Sequence, residues 1–419
     1  MNIIILLTQL VLTVSLFFIF RSFLKPPVFL AVVWLVPILF LTIVELFESK
    51  SYQLNWYAFV FPVGCILFAI GYYIFDKRGP LLQRNTIQKK EITVFFKLFI
   101  LLEFVLVAFW LISVFRYVSS SFKSNFWYTY KWGVSTGDYS DPIFIPYLRT
   151  ATRVIACIMF AVLLTNSNKQ FVFWFIFQLF VTLVINFIGQ GRGGIFSLLI
   201  PLFVIYLLLS KGTKKKKIIV SIATILSLLV VFFVYDDMKR VNTINADQSQ
   251  FYSLENYLCG GIVSFCQWTL EKHEFGYGIY TFRFIAALLS GMGLEVPVVS
   301  MVEEYVENIH GNVGNVYTFY KWYANDFGVL YSLAIQMLLG VFYGLIAKKT
   351  RCSASIGNIA FLSLLFYPLF MQFFNDQYFS NFSIWVQTAF WILLFTRTKI
   401  FMTDTKQNSF FELRSTIHG

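Results

Sequence analysis

The amino-acid sequence predicts an all-α, polytopic membrane protein with about eleven transmembrane helices and one large external loop. The first reason is composition: of the 419 residues, 58% are hydrophobic and only 13% are charged, whereas a soluble globular domain carries about 25% charged residues. The mean hydropathy is +0.71. The second reason is that the apolar residues fall into runs of about 20, the length that crosses a bilayer as a helix. These observations exclude a secreted disulfide scaffold, a disordered regulator and a soluble nucleotide enzyme.

The predicted spans begin with the first residues of the chain. The first run does not read as a cleavable signal, because no positive charge precedes it and Arg21 and Lys25 follow it. The eleven predicted spans are 3–20, 27–46, 54–75, 94–117, 143–165, 170–188, 194–210, 217–235, 327–347, 355–374 and 381–397. The chain therefore divides into 1–235 with eight spans, the external loop 236–326, 327–398 with three spans, and a tail, 399–419.

Basic residues indicate the orientation of the spans. They cluster after spans one, three, seven, nine and eleven. With these spans, the cytoplasmic half holds 21 Lys and Arg residues and 5 Asp and Glu residues, whereas the outer half holds 12 Lys and Arg residues and 16 Asp and Glu residues. Cytoplasmic loops carry the excess of Lys and Arg in membrane proteins. The sequence therefore predicts an external N-terminus and a cytoplasmic C-terminus. The net charge of +12 then reflects the topology of a membrane protein. The run Lys214–Lys217 is interpreted as a topology signal that contacts lipid headgroups, not as a nucleic-acid patch.

Two arginines lie in the outer half of the fifth predicted span. Arg149 and Arg153 are four residues apart and share one helix face. Like charges at that spacing repel each other, and an anionic ligand would resolve the conflict. The alternatives are that both side chains reach out to the membrane surface, or that they pair with Glu103 or Asp141. Charges inside a membrane are expensive and mark functional sites.

Two further arginines are candidates for binding an anion. Arg192 lies in the sequence GQGRGG (189–194), where the next span begins. Glycines allow backbone N–H groups to approach a ligand closely, and a helix N-terminus attracts anions; the alternative is a tight turn with an interfacial arginine. Arg283 lies at the start of the apolar stretch 282–299, which we interpret as an amphipathic, buried or re-entrant helix within the loop. Arg283 could instead pair with one of the loop's acidic residues.

Candidate bases and sugar-binding residues lie in the second half of the external loop. His310 could act as a general base at neutral pH, or be an ordinary surface residue. Glu295 is the second candidate, because an apolar helix could desolvate it; Glu303, Glu304 and Glu307 are further alternatives. The predicted sugar-binding residues are Tyr317, Tyr320, Tyr323 and Asp326. The aromatic members could instead form an interfacial belt, and Asp326 could cap the ninth span at its N-terminus.

No known nucleotide, zinc-protease or hydrolase motif is present. The sequence contains no GxxxxGKS, HExxH, GxSxG or Asp-x-Asp pattern, and the five cysteines show no metal-binding spacing. We interpret Cys259 and Cys266 of the external loop as two unpaired thiols; the alternative is a disulfide. Because the candidate groups face outward, where nucleotides are absent, a substrate must bring its own leaving group. A lipid pyrophosphate meets that requirement.

Three segments resemble a known family. They are GRGG (Gly191–Gly194), GYGIYTFRF (Gly276–Phe284) and GNVYTFYKWYANDFG (Gly314–Gly328). These segments resemble the bacterial O-antigen polymerases, which are Wzy-type oligosaccharide repeat-unit polymerases. The order of spans, with a large external loop before the last few, fits the same family over nearly the whole chain.

The resemblance implies a fold, a reaction and a location. The fold would be that of the glycosyltransferase C superfamily. The reaction would join polyprenyl-pyrophosphate-linked oligosaccharide units at the outer face of the bacterial cytoplasmic (inner) membrane, without a metal, a nucleotide or another cofactor. Arg149, Arg153, Arg192 and Arg283 would then bind the pyrophosphate, His310 or Glu295 would accept a proton, and a chain-length regulator would be a partner.

Two other functions remain open at the level of sequence. An O-antigen ligase shares the architecture and the donor but transfers the chain to a lipid A-core acceptor. A transporter or flippase of lipid-linked oligosaccharides would also have many spans, but it should show repeated halves and little mass outside the membrane. This chain shows no repeated halves, and its external loop is large.

Overall fold

The computed structural model describes residues 1–47, 54–76, 80–82, 90–121, 126–166, 169–240, 250–300, 304, 306–307 and 313–404. These residues form a bundle of α-helices with a few very short strands. The first eight helices are α1 (Asn2–Phe20), α2 (Pro26–Phe47), α3 (Val60–Phe75), α4 (Val94–Ser120), α5 (Phe126–Thr136), α6 (Ile145–Thr165), α7 (Lys169–Gln190) and α8 (Arg192–Leu209). The next eight are α9 (Lys214–Arg240), α10 (Gln250–Trp268), α11 (Arg283–Gly291), α12 (Phe319–Phe327), α13 (Val329–Cys352), α14 (Ile356–Leu364), α15 (Phe366–Phe370) and α16 (Phe382–Arg397).

Short 3₁₀ turns and strands complete the described structure. The 3₁₀ turns are Trp56–Phe59, which leads into α3, and Met371–Phe373, which follows α15. Four strands make two antiparallel pairs: β1 (Lys90–Ile92) pairs with β4 (Met402–Asp404), and β2 (Val306–Glu307) pairs with β3 (Val313–Gly314).

Ten helical segments of the described chain are long and apolar enough to cross a membrane. They are Asn2–Phe20, Pro26–Phe47, Trp56–Phe75, Val94–Ser120, Ile145–Thr165, Phe171–Gly189, Arg192–Leu209, Lys214–Val234, Val329–Cys352 and Ile356–Phe373. Each one coincides with one of the first ten predicted spans. The eleventh predicted span corresponds to α16, which is only 16 residues long. The prediction of an all-α, polytopic membrane protein is therefore confirmed.

The predicted external loop contains a long helix that packs into the bundle. Helix α10 packs against α2, and the Cys259 thiol lies 3.5 Å from the Pro37 carbonyl oxygen. Cys259 and Cys266 are both buried and unpaired, as interpreted from the sequence. The hydropathy pattern missed α10, because polar residues such as Glu255, which is fully buried, lower its mean hydropathy. The apolar stretch 282–299 is helical only over the nine residues of α11.

Glycines bring α3 and α13 into close contact. A Cβ atom at Gly344 of α13 would lie 2.6 Å from the Tyr72 carbonyl oxygen of α3. A Cβ at Gly340 would collide with the Phe68 carbonyl, and one at Gly71 would collide with the Met337 carbonyl. Small residues of this kind let helix backbones approach each other in a membrane, where packing replaces the hydrophobic effect as the force between helices. The third and ninth spans therefore form a fixed pair.

A buried ion cluster marks one end of the bundle. The Lys25 ammonium lies 2.5 Å from a carboxylate oxygen of Asp76. Arg351 and the Tyr72 hydroxyl also contact this carboxylate. Lys25 precedes α2, Asp76 follows α3, and Arg351 lies in the last turn of α13. We call this the Lys25 end of the bundle, and it carries the strand pair of β1 with β4 at the ends of α4 and α16.

Candidate functional site

A cavity of about 450 Å³ opens at the end of the bundle opposite to the Lys25 end. Its walls are the second and third turns of α6, the first two turns of α8 and α16, the segment 315–318, α12, the residues at the junction of α14 and α15, and the segment 374–381 that precedes α16. The polar lining residues are Thr150, Arg153, Ser197, Asn315, Thr318, Asn375, Asp376, Gln377, Ser380, Asn381 and Thr388. The aromatic lining residues are Tyr317, Trp322, Tyr367, Phe374 and Trp385. The cavity thus combines one cation, one carboxylate, amides and two tryptophans.

Arg153 supplies the positive charge of this cavity. The residue is only 9% exposed, because α6 packs closely on α8. Its Nε donates to the Arg149 carbonyl at 3.3 Å, and its Nη1 donates to the Ser197 hydroxyl at 2.8 Å. In the part of the chain that the structure describes, no carboxylate lies within ion-pair distance of Arg153, and its Nη2 donates no hydrogen bond. A buried charge without a counter-ion is unfavourable, so the geometry favours an anionic ligand.

Arg149 is neutralised by a neighbouring acid. Its Nη2 donates to Asp141 at 2.6 Å, and its guanidinium carbon lies 5.5 Å from the centre of the Trp110 ring. Asp141 also accepts hydrogen bonds from Trp110 and Tyr130. A Cβ atom at Gly189 would collide with the guanidinium. Arg149 therefore adopts the arrangement that the sequence left open as an alternative, pairing with Asp141, and it lies outside the cavity.

Glu103, the other acid considered as a partner for these arginines, is bound elsewhere. Its Oε2 accepts a hydrogen bond of 2.8 Å from the Gln178 amide, which joins α4 to α7. Because Glu103 is fully buried, this bond connects two helices inside the bundle. Glu103 is therefore not a partner of Arg153, although the sequence left that pairing open.

The other two predicted arginines lie away from the cavity lining. The guanidinium carbon of Arg192 lies 4.5 Å from the ring centre of Phe232 and 4.6 Å from that of Tyr257. The Tyr257 ring in turn contacts Phe374, a lining residue, with ring centres 4.4 Å apart. Arg192 thus supports the cavity wall from behind. The Nε of Arg283 donates to the Val299 carbonyl at 2.7 Å. This bond holds the two ends of the apolar stretch 282–299 together.

Of the two predicted bases, the structure describes Glu295. Glu295 is exposed, lies in the irregular segment after α11, and does not line the cavity. His310 lies outside the described residues.

The predicted sugar-binding tyrosines occupy different places around α12. Tyr317 lines the cavity, and the Lys321 ammonium lies 3.4 Å from the centre of its ring. Tyr320 is buried against Trp34 and Phe61. Tyr323 is also fully buried, and its hydroxyl is directed toward the cavity's carboxylate.

Asp326 organises the loop before α11. One carboxylate oxygen accepts from the N–H groups of Gly278 and Tyr280 at 2.9 and 3.1 Å, and the other accepts from Thr281 at 2.7 Å. This carboxylate is fully buried and does not line the cavity. The residue before α13 is Gly328, at φ +82°, so Asp326 does not cap the ninth span. It holds the GYGIYT segment against α12 instead.

Asp376 is the lining residue that sequence reasoning missed. It is 4% exposed, and its Oδ1 accepts from the Tyr323 hydroxyl at 2.7 Å and from the Tyr378 N–H at 3.1 Å. Its Oδ2 accepts from the Ser380 N–H at 2.8 Å. Burial raises the pKa of this carboxyl above its ordinary value, although the hydrogen bonds oppose the increase. The only signal in the sequence is a lone acid in the polar segment NDQYFSN between two apolar runs.

No protein-family model, curated protein or solved structure matches this chain. Among the described residues, no group of three or more His, Cys, Asp or Glu side chains comes together in the way that would hold a metal ion.

Proposed function

We propose that this protein is a membrane glycosyltransferase of the glycosyltransferase C type, which polymerises oligosaccharide repeat units carried on a polyprenyl pyrophosphate. The observation that carries the proposal is Arg153, a buried cation that lines a cavity and has no carboxylate partner among the described residues. A guanidinium binds phosphate groups well, because its planar N–H donors match their oxygens in charge-assisted hydrogen bonds. The sequence resemblance to O-antigen polymerases supports the same conclusion.

The cavity offers what such a reaction needs. A pyrophosphate gains negative charge as it leaves the anomeric carbon, and a preorganised cation in a site with little water stabilises that charge strongly. The amides of Asn375, Gln377 and Asn381 can pair with sugar hydroxyls, since each amide both donates and accepts hydrogen bonds. Trp322 and Trp385 provide flat apolar surfaces with a polar N–H group. These features suit a sugar joined to a phosphate.

The proposed reaction takes place at the outer face of the bacterial cytoplasmic membrane. Among the described residues, the basic clusters that follow spans one, seven, nine and eleven lie at the Lys25 end, which we therefore assign to the cytoplasm. The cavity then faces outward, and the lipid tail of the substrate remains in the bilayer beside the helices.

The native cysteines provide a test of this orientation. Four are buried, and Cys352 at the Lys25 end is exposed. A membrane-impermeant maleimide should therefore label the unaltered protein in inverted vesicles and not in intact cells. The opposite result should come from Ile143→Cys in a Cys352→Ser background, because Ile143 is 89% exposed just before α6. Labelling of Cys352 in intact cells would reverse the assignment.

The proposed function predicts a ladder of products from purified components. The protein in lipid nanodiscs, mixed with the polyprenyl-pyrophosphate-linked repeat unit from the same bacterium, should yield lipid-linked chains that differ by one unit. Mass spectrometry and gel analysis would measure them, and a chain-length regulator should narrow their distribution. A ligase would form no ladder and would extend only a lipid A-core acceptor. A flippase would move the donor and form no new glycosidic bond.

A further inference from the structure

The Asp376 carboxylate has four acceptor positions and accepts three of the hydrogen bonds of the described chain. A carboxylate oxygen can accept two hydrogen bonds. In the described chain Oδ1 accepts from the Tyr323 hydroxyl and the Tyr378 N–H, and Oδ2 accepts from the Ser380 N–H. The Ser380 hydroxyl also lies close to this carboxyl, but its one hydrogen is donated to the Asp376 carbonyl at 2.8 Å. The residue lines the same cavity as Arg153. A hydroxyl group of a substrate in this cavity could therefore donate to the second lone pair of Oδ2.

The segment around Asp376 is rigidly held by its own hydrogen bonds. The Ser380 hydroxyl donates to the Asp376 carbonyl at 2.8 Å, and the Trp385 indole donates to the Gln377 carbonyl at 2.8 Å. The Asn381 amide donates to the Gln377 side chain at 3.0 Å. A catalytic group must be held in this way, because small errors in position cost much of the rate.

We propose that Asp376 is the catalytic base that accepts the proton of the acceptor sugar hydroxyl. This inference rests on the proposed function. The hydroxyl oxygen of the incoming lipid-linked unit attacks the anomeric carbon of the growing chain and forms the new C–O bond. The bond from that carbon to the pyrophosphate oxygen breaks, and its electron pair leaves with the pyrophosphate beside Arg153. The hydroxyl proton moves to Oδ2 of Asp376, so charge and atoms balance without a further reactant.

The structure favours Asp376 over Glu295 for this role. Glu295 is exposed on a segment that does not line the cavity, so it is not placed to reach a substrate bound beside Arg153. Asp376 is buried, which strengthens it as a base. The described titratable groups that face it are Tyr323 from α12 and Tyr378 from its own segment, and Arg153 of α6 shares its cavity.

The first test replaces the base with its amide. In Asp376→Asn the side-chain carbonyl can still accept from Tyr323 and Tyr378, and only the bond from the Ser380 N–H is lost. We expect the fold to persist, and the unfolding temperature checks this. Turnover of the lipid-linked repeat unit should fall by roughly 10²- to 10⁴-fold, whereas affinity for that donor, measured by calorimetry, should change less than threefold. The matched control is Asp138→Asn, an exposed residue before α6, which should keep full turnover.

A second variant keeps the proposal testable if Asp376→Asn does not fold. Tyr323→Phe removes one hydrogen bond that favours the charged carboxylate, so the pKa of Asp376 should rise and the acidic limb of the turnover profile should move to higher pH. A purely structural carboxylate would leave this limb in place. Full turnover in folded Asp376→Asn, or an unmoved limb in Tyr323→Phe, would overturn the assignment of the base. Absence of any polymer from the unaltered protein would instead overturn the proposed function.

Discussion

Replacing Arg153 with methionine should lower the polymerisation rate by roughly 10²- to 10³-fold, the usual cost of losing one donor that stabilises a developing negative charge. Donor affinity should fall as well, because the same guanidinium binds the phosphate before the reaction. Arg153→Lys should recover only part of the rate: it keeps the charge but loses the planar group that donates to Ser197 and to the Arg149 carbonyl. Turnover of the lipid-linked repeat unit and calorimetric binding would separate the two effects.

The stability of the same variant distinguishes a functional arginine from a structural one. A well-packed apolar residue in place of a buried charge is often neutral or stabilising. Arg153→Met should therefore unfold at the same or a higher temperature while it loses activity. The matched control is Arg116→Lys on the exposed surface of α4, which should change neither quantity. If Arg153→Met lost stability and activity together, the residue would be structural, and the anion site would have to be sought elsewhere.

Replacing Asp76 with alanine should destabilise the protein by about 3 to 5 kcal/mol, because it leaves buried cations without their counter-ion. Lys25 and Asp76 are both fully buried, so water cannot take over the role of the carboxylate. Arg351 is partly exposed and can turn outward. We expect a lower yield of monodisperse protein and a lower unfolding temperature, measured in the same detergent as the unaltered protein. Asp138→Ala is the control on the exposed surface.

The pH dependence of the stability of the Asp76→Ala variant should show whether Lys25 causes the loss of stability. Burial already lowers the pKa of Lys25 from its ordinary value of 10.5, and Asp76 opposes that shift. Without Asp76 the pKa of Lys25 in the folded protein should fall further below 10.5. Between that lowered pKa and 10.5, the unfolded chain then binds more protons than the folded protein does. Stability of the variant should therefore rise with pH in this window, more steeply than in the unaltered protein. Adding Lys25→Met should restore part of the lost stability at neutral pH, and no recovery would contradict the explanation.

The sequence predicted the spans well and the cavity poorly, for physical reasons. A run of 20 apolar residues identifies a span from local composition alone, whereas α10 is buried by contacts with α2 that no local pattern reveals. Arg149 and Arg153 look equivalent in the sequence. They differ because Asp141 folds back onto one of them and Ser197 of α8 faces the other.

The catalytic base was also predicted poorly, because local sequence patterns do not reveal contacts between distant residues. His310 and Glu295 were chosen by residue type and by their place in a large loop. Asp376 occupies a connection of a few residues between two spans, and its importance depends on Tyr323, which lies 53 positions away in the chain. Only the three-dimensional arrangement brings this acid into a cavity with Arg153.

The close contact of α3 with α13 also constrains the order of events during synthesis. Their ranges are separated by about 250 residues. Because ribosomes add about 5 to 20 residues per second, α13 is synthesised roughly 10 to 50 s after α3. During that interval the surface at Gly71 can contact only lipid or a temporary neighbour. A chain that terminates before residue 329 would keep this surface uncovered, and we expect membrane proteases to recognise such truncated chains and remove them.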